Sequence, residues 1–197
     1  MMTNADLQLE LIAQKIISES LFDIIDDEGG VVNEGYNLDI RATMKKYRAQ
    51  FKAECVDCKK AIKRHDKETA LSHTKNMRAI IEQCKDEIEK TSKNYDVADN
   101  VGSAVIGYFT GVFADMTYFL KAVLLVYIPV LGPIAVTVMG IKKLIQEISI
   151  LVEDIRDNED TVDWVKTFNM YRNISLAKLK DLEGVIKNLE SRIQKMD

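Results

Sequence analysis

A chain of 197 residues is long enough for one domain with a sizeable core. Its composition, 47% hydrophobic and 29% charged, is that of a globular protein, and it excludes a disordered chain and a polytopic membrane protein. The net charge of −4 argues against a dedicated nucleic-acid binder, so we expect no nucleic-acid partner. Only two prolines and nine glycines are present, and so few helix breakers favour long helices over sandwiches, barrels and glycine-rich phosphate-binding folds.

The first predicted element is a helix over residues 4–26. Thr3 and Asn4 are residue types that cap helix N-termini, and apolar residues then recur with helical spacing. Gly29 and Gly30 end this pattern, so residues 27–37 are predicted to form a loop.

Residues 38–93 are predicted to form an amphipathic αα-hairpin. Two apolar stripes with helical spacing are separated by a short turn at His65 and Asp66. Residues 45–67 carry nine bases and three acids, which indicates a solvated helix face or, alternatively, a contact for acidic lipid or an acidic partner. The stripes consist of Ile40, Met44, Tyr47, Phe51, Cys55, Cys58 and Ile62, and of Ala70, His73, Met77, Ile80, Ile81, Cys84 and Ile88.

Residues 161–196 are predicted to form one long amphipathic helix, capped by Asp160 or Thr161. From Leu179 onward its apolar residues form a seam of coiled-coil type that is shorter than three heptads. We expect this helix to pack within the bundle, with self-association as an alternative. Because no stretch alternates with a period of two, the predicted fold class is all-α: an elongated bundle of five to six helices in a single domain, 1–197.

The most apolar part of the chain lies in its middle. Residues 101–141 contain only two charged side chains, Asp115 and Lys121, and residues 122–141 contain none. Both prolines of the chain, Pro129 and Pro133, fall here, together with Leu131 and Gly132. Two helix breakers and a glycine within five residues predict a turn, so residues 97–157 are predicted to form a hairpin with its tip at 129–133.

The length of the two arms argues against a hairpin that crosses a membrane twice. Twenty apolar residues make about 30 Å of helix, enough for one span. In the second arm, however, only residues 134–141 are free of charge, and they make about 12 Å. Lys142 and Lys143 follow, and each charge would cost about 2.5–3.5 kcal/mol at the bilayer centre. The hairpin is therefore interpreted as a buried bundle centre, or as a segment sheltered in one state and inserted in another, rather than as a permanent anchor.

Three small residues recur every four positions on the first arm: Ser103, Gly107 and Gly111. Small residues at this spacing let helix backbones approach closely, either in lipid or, in a bundle, between the two arms of the hairpin. Asp115 follows on the same arm, where its carboxylate must find a partner or stay protonated. We expect a salt bridge or a helix-cap contact, with a pore-lining or protonation-switch role as the alternative.

The three cysteines do not form a disulfide framework, and their odd number favours a reducing, cytoplasmic compartment. In the predicted hairpin, Cys58 lies opposite His73, and Cys55 lies opposite Asn76 and Met77. Convergence of Cys55, Cys58 and His73 would suit zinc, but no fourth ligand is evident, and cysteine at stripe positions is a good core residue. We therefore predict buried cysteines and no metal or cofactor.

Motifs of nucleophilic catalysis, zinc proteases and nucleotide binding are missing from the sequence, so we expect a protein that is not an enzyme. The layout of long amphipathic helices around a mid-chain apolar hairpin resembles that of α-helical pore-forming toxins, although no motif is shared and no family is assigned.

Two functions are predicted as alternatives. The first is engagement of, or insertion into, a lipid bilayer through hairpin 101–141, including assembly into a pore-forming or membrane-penetrating oligomer. The second is a structural or assembly subunit, for example of a viral particle, whose hairpin is buried against neighbouring subunits. The expected partners are a lipid membrane and either a second copy of the chain or a helical partner.

Overall fold

Five helices make up nearly all of the chain that the computed structural model describes, which comprises residues 39–93, 102–131, 135–157 and 163–196. They are α1 (Asp39–Lys63), α2 (Lys67–Lys93), α3 (Gly102–Leu131), α4 (Ala135–Asp157) and α5 (Trp164–Gln194). No strand occurs in these ranges, and the prediction of an all-α helical bundle is confirmed. The predicted helix 4–26 and loop 27–37 lie outside the described residues.

The turn between α1 and α2 closes the first hairpin through main-chain hydrogen bonds. The amide of Asp66 donates to the carbonyl of Ala61 at 3.0 Å, and the amide of His65 donates to that of Ile62 at 3.1 Å, which is the Schellman pattern. His65 has a φ of 55°, in the left-handed region where glycine is usual. Asp66 then caps α2, because its carboxylate accepts a 3.1 Å hydrogen bond from the amide of Thr69.

Helix α3 packs beside α1 and runs parallel to it. The ring centroids of Phe51 and Phe119 are 4.7 Å apart, and Arg48 Nε lies 3.4 Å from Asp115 Oδ1. Residue numbers rise together along the two helices, as parallel packing requires.

Helix α5 packs on the other side of α3, again in parallel. Phe109 and Phe168 have ring centroids 5.2 Å apart, and the hydroxyl of Tyr127 donates a 2.6 Å hydrogen bond to the carbonyl of Val185. Helix α5 therefore lies against α3 from Phe168, in the second turn of α5, to Val185, nine residues before the end of α5.

Helix α2 completes the ring by packing antiparallel to α5. Lys85 lies 2.8 Å from Glu183, and Arg78 lies 3.3 Å from Glu190, so one helix descends as the other rises. His73, which was predicted on the stripe of α2, is not part of the core and pairs with Glu54 instead. The stripe residues that face the inside of this ring and are buried include Met44, Phe51, Cys55, Cys58, Ile62, Ala70, Met77, Ile81, Cys84 and Ile88.

Helix α4 packs against α3 from outside the ring of α1, α2, α5 and α3. Lys178 of α5 contacts Glu147 of α4 at 2.6 Å. Since Lys178 lies between the two contacts that join α5 to α3, the middle of α4 faces the middle of α3, as in an antiparallel hairpin. Each helix thus reverses the direction of the one before it. At one end of the bundle, called here the upper end, α1, α3 and α5 end and α2 and α4 begin.

Two helix boundaries differ from the predicted ones. Helix α3 continues through Pro129 to Leu131, although the predicted tip began at Pro129. A proline removes the hydrogen bond of its missing N–H and its ring crowds the carbonyl four residues earlier, and α3 ends two residues after Pro129. Helix α5 begins at Trp164 rather than at 161, because the carboxylate of Asp163 accepts a 3.1 Å hydrogen bond from the amide of Lys166 and so acts as the N-cap.

Candidate functional site: the apolar hairpin and its buried charges

Helix α3 is the core helix of the bundle. Residues Gly107–Tyr127 form the one helical segment, among the described residues, that is long and apolar enough to cross a membrane. In the fold, however, 78% of this apolar stretch is buried against other helices. A helix that is apolar on all sides is buried in a protein core or in a membrane, and the structure places α3 in the protein core.

Asp115 carries a negative charge into this core. It is 8% exposed, and its partner is Arg48 of α1, whose Nε lies 3.4 Å from Asp115 Oδ1. The guanidinium of Arg48 also lies over the ring of Tyr118, 4.4 Å from the ring centroid. The structure therefore gives Asp115 a salt bridge within the bundle.

The salt bridge does not fully compensate for burial. Burial raises the pKa of Asp115 from 3.8 to about 6, and the charge and hydrogen bond of Arg48 oppose that rise without cancelling it. Cys84 of α2 also faces this position, since burial and then the charge of Asp115 raise the pKa of its thiol. Asp115 is thus mostly ionised at pH 7, but the fold favours its protonated form more than water does.

Lys121 is the second charged residue of α3 and is only 7% exposed. Burial lowers the pKa of its ammonium group. It lies on the helix at the point where the charge-free stretch 122–141 begins, and Lys142 and Lys143 lie where that stretch ends. Lysines therefore bound the apolar part of the hairpin on both arms.

At Gly111 the small-residue stripe of α3 does not form the close helix contact that was predicted for a soluble bundle. A Cβ atom added at Gly111 would meet no atom within 4 Å, and Gly107 and Gly111 are both only half-buried. The prediction of tight packing against the second arm is therefore wrong at Gly111, because no neighbouring helix comes that close to this position. The side chain of Ser103 lies outside the described ones.

The tip residues are only partly described. Pro129 and Leu131 belong to the last turn of α3, whereas Gly132 and Pro133 lie outside the described residues.

The cysteines of the first hairpin are core residues. The thiol of Cys55 lies 3.8 Å from the sulfur of Met77, as the predicted register requires, and that of Cys58 donates to the carbonyl of Ala70 at 3.5 Å. Burial raises the pKa of Cys58 to about 12 and also raises that of Cys55.

The third member of the metal alternative turns away from the cysteines. His73 Nδ1 lies 2.7 Å from Glu54 Oε2, on the solvated side of the hairpin. Within the described residues, no group of three or more histidine, cysteine and carboxylate side chains is placed to hold a metal ion. The zinc site considered for Cys55, Cys58 and His73 is therefore not formed, because the α2 residue opposite Cys58 is Ala70.

Sequence reasoning missed the residues that hold the hairpin in the bundle. These are Arg48, which pairs with Asp115, Lys178, which pairs with Glu147, and Tyr127, which bonds to the main chain of α5. Each contact depends on which helices are neighbours and on their register. Only Arg48 could have been found from the sequence, because it lies one turn before Phe51, a residue of the predicted apolar stripe.

The comparisons with known proteins leave the function open. No protein-family model, no curated protein and no solved structure matches the chain.

Proposed function

We propose that this protein is a non-enzymatic, membrane-engaging protein whose α3–α4 hairpin enters a lipid bilayer from the upper end of the bundle. The observation that carries the proposal is the hairpin itself. Twenty consecutive residues without a charge, 122–141, surround its tip and are bounded by Lys121, Lys142 and Lys143. Insertion would be conditional, because α3 is buried among the other helices in this state.

The arm lengths favour entry into one leaflet. The ten residues 122–131 make about 15 Å of helix and the seven residues 135–141 make about 10 Å, against about 15 Å for half of a hydrocarbon core. At that depth the lysines at both ends of the stretch would lie at the headgroups, where long side chains tolerate the interface. In an oligomer, the same hairpin from several copies would form a pore. We propose that the protein is made in a reducing compartment and that it acts at a membrane.

A structural role is the second candidate function. It is favoured by the burial of α3, since the core helix of a soluble subunit can be as long and as apolar as a membrane span. In that role the exposed surface of the bundle would contact copies of the chain or a helical partner in an assembly, and the hairpin would never meet lipid.

Flotation with liposomes distinguishes these two functions. The parent chain is expected to float with vesicles of mixed phosphatidylcholine and phosphatidylserine, and Leu131→Glu is expected to abolish flotation by placing a charge at the tip. Met170→Glu is the matched control, because Met170 is an apolar residue of α5, 47% exposed, far from the upper end. Circular dichroism verifies that both variants are folded. Absence of parent flotation at every pH and lipid composition would favour the structural role.

A further inference from the structure

We propose that the upper end of the bundle is an electrostatic docking surface for an anionic lipid bilayer, which seats the hairpin tip at the headgroups. The inference rests on the proposed function and adds to it the class of lipid and the orientation of the protein. It rests on three parts of the chain that are far apart in the sequence and that the fold brings to one end of the bundle.

Three separate parts of the chain bring basic residues to this end. They are the α1–α2 turn with its flanking turns (57–72), the last turns of α3 with the first turns of α4 (125–131 and 135–143), and the last turns of α5 (186–196). Together these ranges carry ten bases and four acids, a net charge of +6. The bases are Lys59, Lys60, Lys63, Arg64, Lys67, Lys142, Lys143, Lys187, Arg192 and Lys195.

The upper end is more basic than the rest of the described bundle. Outside these three ranges the described residues carry sixteen bases and fourteen acids, a net charge of +2, so most of their net positive charge lies at the upper end. A basic surface of this kind is attracted by an anionic one.

The basic residues of this end are available to a surface. Lys63, Arg64, Lys142 and Lys187 are exposed, and the side chain of Lys143 is 78% exposed. Three of the four acids of the upper end have partners: Asp57 pairs with Lys60 at 2.8 Å, Asp66 caps α2, and Glu190 pairs with Arg78 at 3.3 Å. The field at the surface is therefore dominated by lysine and arginine.

The apolar ends of α3 and α4 favour lipid over a nucleic acid as the anionic partner. Helix α3 ends and helix α4 begins at this basic end, and no charged residue occurs from 122 to 141. A nucleic acid would neutralise the bases but offer nothing to an apolar segment, whereas an anionic bilayer offers phosphates around an apolar interior.

The geometry also orders the events at the membrane. Docking brings the end of α3 and the start of α4 to the headgroups with the bundle intact. Deeper entry requires residues 122–127 to leave the core, where Tyr127 donates to the carbonyl of Val185. The bundle end thus acts as the binding surface and the hairpin as the segment that enters.

Vesicle binding of charge-reversal pairs tests the inference. Phosphatidylcholine vesicles with and without phosphatidylserine are incubated with the parent, Lys142→Glu/Lys143→Glu, Lys63→Glu/Arg64→Glu and Lys45→Glu/Lys46→Glu. The last pair is the matched control, because Lys45 and Lys46 are adjacent exposed lysines in the lower half of α1. We expect each upper-end pair to weaken partitioning into anionic vesicles about tenfold or more, the control pair to change it less than about twofold, and added salt to weaken parent binding.

The possible failures are distinguishable. Equal binding of the parent to neutral and anionic vesicles, without an effect of salt, would overturn the electrostatic surface and leave the membrane-engaging function standing. An equal loss of binding in the control pair and the upper-end pairs would overturn the end-on orientation. Absence of parent binding to every vesicle would overturn both this inference and the proposed function.

Discussion

The two hairpins of this bundle bury their apolar surface in different ways. In the α1–α2 hairpin each helix has one buried stripe, and its remaining faces carry charges and face solvent. Helix α3 is buried on nearly all sides and contacts α1, α4 and α5. An amphipathic helix can be stable with one neighbour, whereas a helix such as α3 needs a protein or a bilayer around it. The difference explains why the hairpin of α3 and α4 is the segment we assign to the membrane.

The largest expected effect follows from the burial of α3. Phe119→Ala removes a fully buried ring that packs on Phe51, and we expect the free energy of unfolding to fall by about 3–5 kcal/mol. Val56→Ala, at a position of α1 that is 40% exposed, is expected to change it by less than about 0.5 kcal/mol. Chemical denaturation followed by circular dichroism measures both. Similar losses of stability for the two variants would contradict the difference in burial between α3 and the outer face of α1.

The buried charge of α3 gives the next effect. Because the fold raises the pKa of Asp115 from 3.8 to about 6, the native state binds its proton more tightly than the unfolded chain does. The contribution of Asp115 to stability is therefore full below pH 3.8 and is lost as the pH rises through 6. We expect Asp115→Asn to increase the free energy of unfolding at pH 7 by about 1–3 kcal/mol.

The pH profile provides the control for that prediction. The gain from Asp115→Asn should shrink between pH 6 and pH 4, where the parent carboxyl is itself protonated. Asp57, Asp66 and Glu147 have lowered pKa values, from hydrogen bonds to Lys60, Thr69 and Lys178, and they shift the absolute curve the other way. The difference between parent and variant cancels them. A difference that is independent of pH, or a variant destabilised at pH 7, would contradict the assignment.

A smaller effect is expected where α3 is tied to α5. Tyr127→Phe removes the 2.6 Å hydrogen bond to the carbonyl of Val185 while keeping the ring, and we expect a loss of about 0.5–1.5 kcal/mol. If the hairpin enters lipid as proposed, this contact must break first, and the same variant should then penetrate anionic vesicles faster than the parent in a stopped-flow quenching measurement. Unchanged stability together with slower penetration would show that this hydrogen bond neither stabilises the bundle nor retains the hairpin in it.

The smallest effect tests the open side of α3. Gly111→Ala adds a methyl group where no atom lies within 4 Å, and alanine is a better helix former than glycine, so we expect a gain of about 0.5–1 kcal/mol. Thermal unfolding checks this expectation. A loss of stability would show that Gly111 is in a tight helix contact after all.

The two hairpins also differ in how far the sequence predicts them. The stripes from Met44 to Ile88 gave both helices, their turn and the pairing of Cys55 with Met77, because apolar spacing records which face is inward. In α3 every face is apolar, so spacing contains no information about its neighbours. For that reason the packing of Gly111 was predicted wrongly and Arg48 was not recognised as the partner of Asp115.

The central claim is that the hairpin tip, and not the rest of the bundle, meets the membrane. The buried cysteines, whose pKa values burial raises, react slowly, so Leu131→Cys can be labelled selectively with an environment-sensitive fluorophore in the folded chain. Lys45→Cys, labelled in the same way, reports the lower half of the bundle. On addition of phosphatidylserine vesicles we predict a blue-shifted, brighter emission from position 131 and none from position 45. An unchanged emission at position 131, or an equal shift at both positions, would contradict the account.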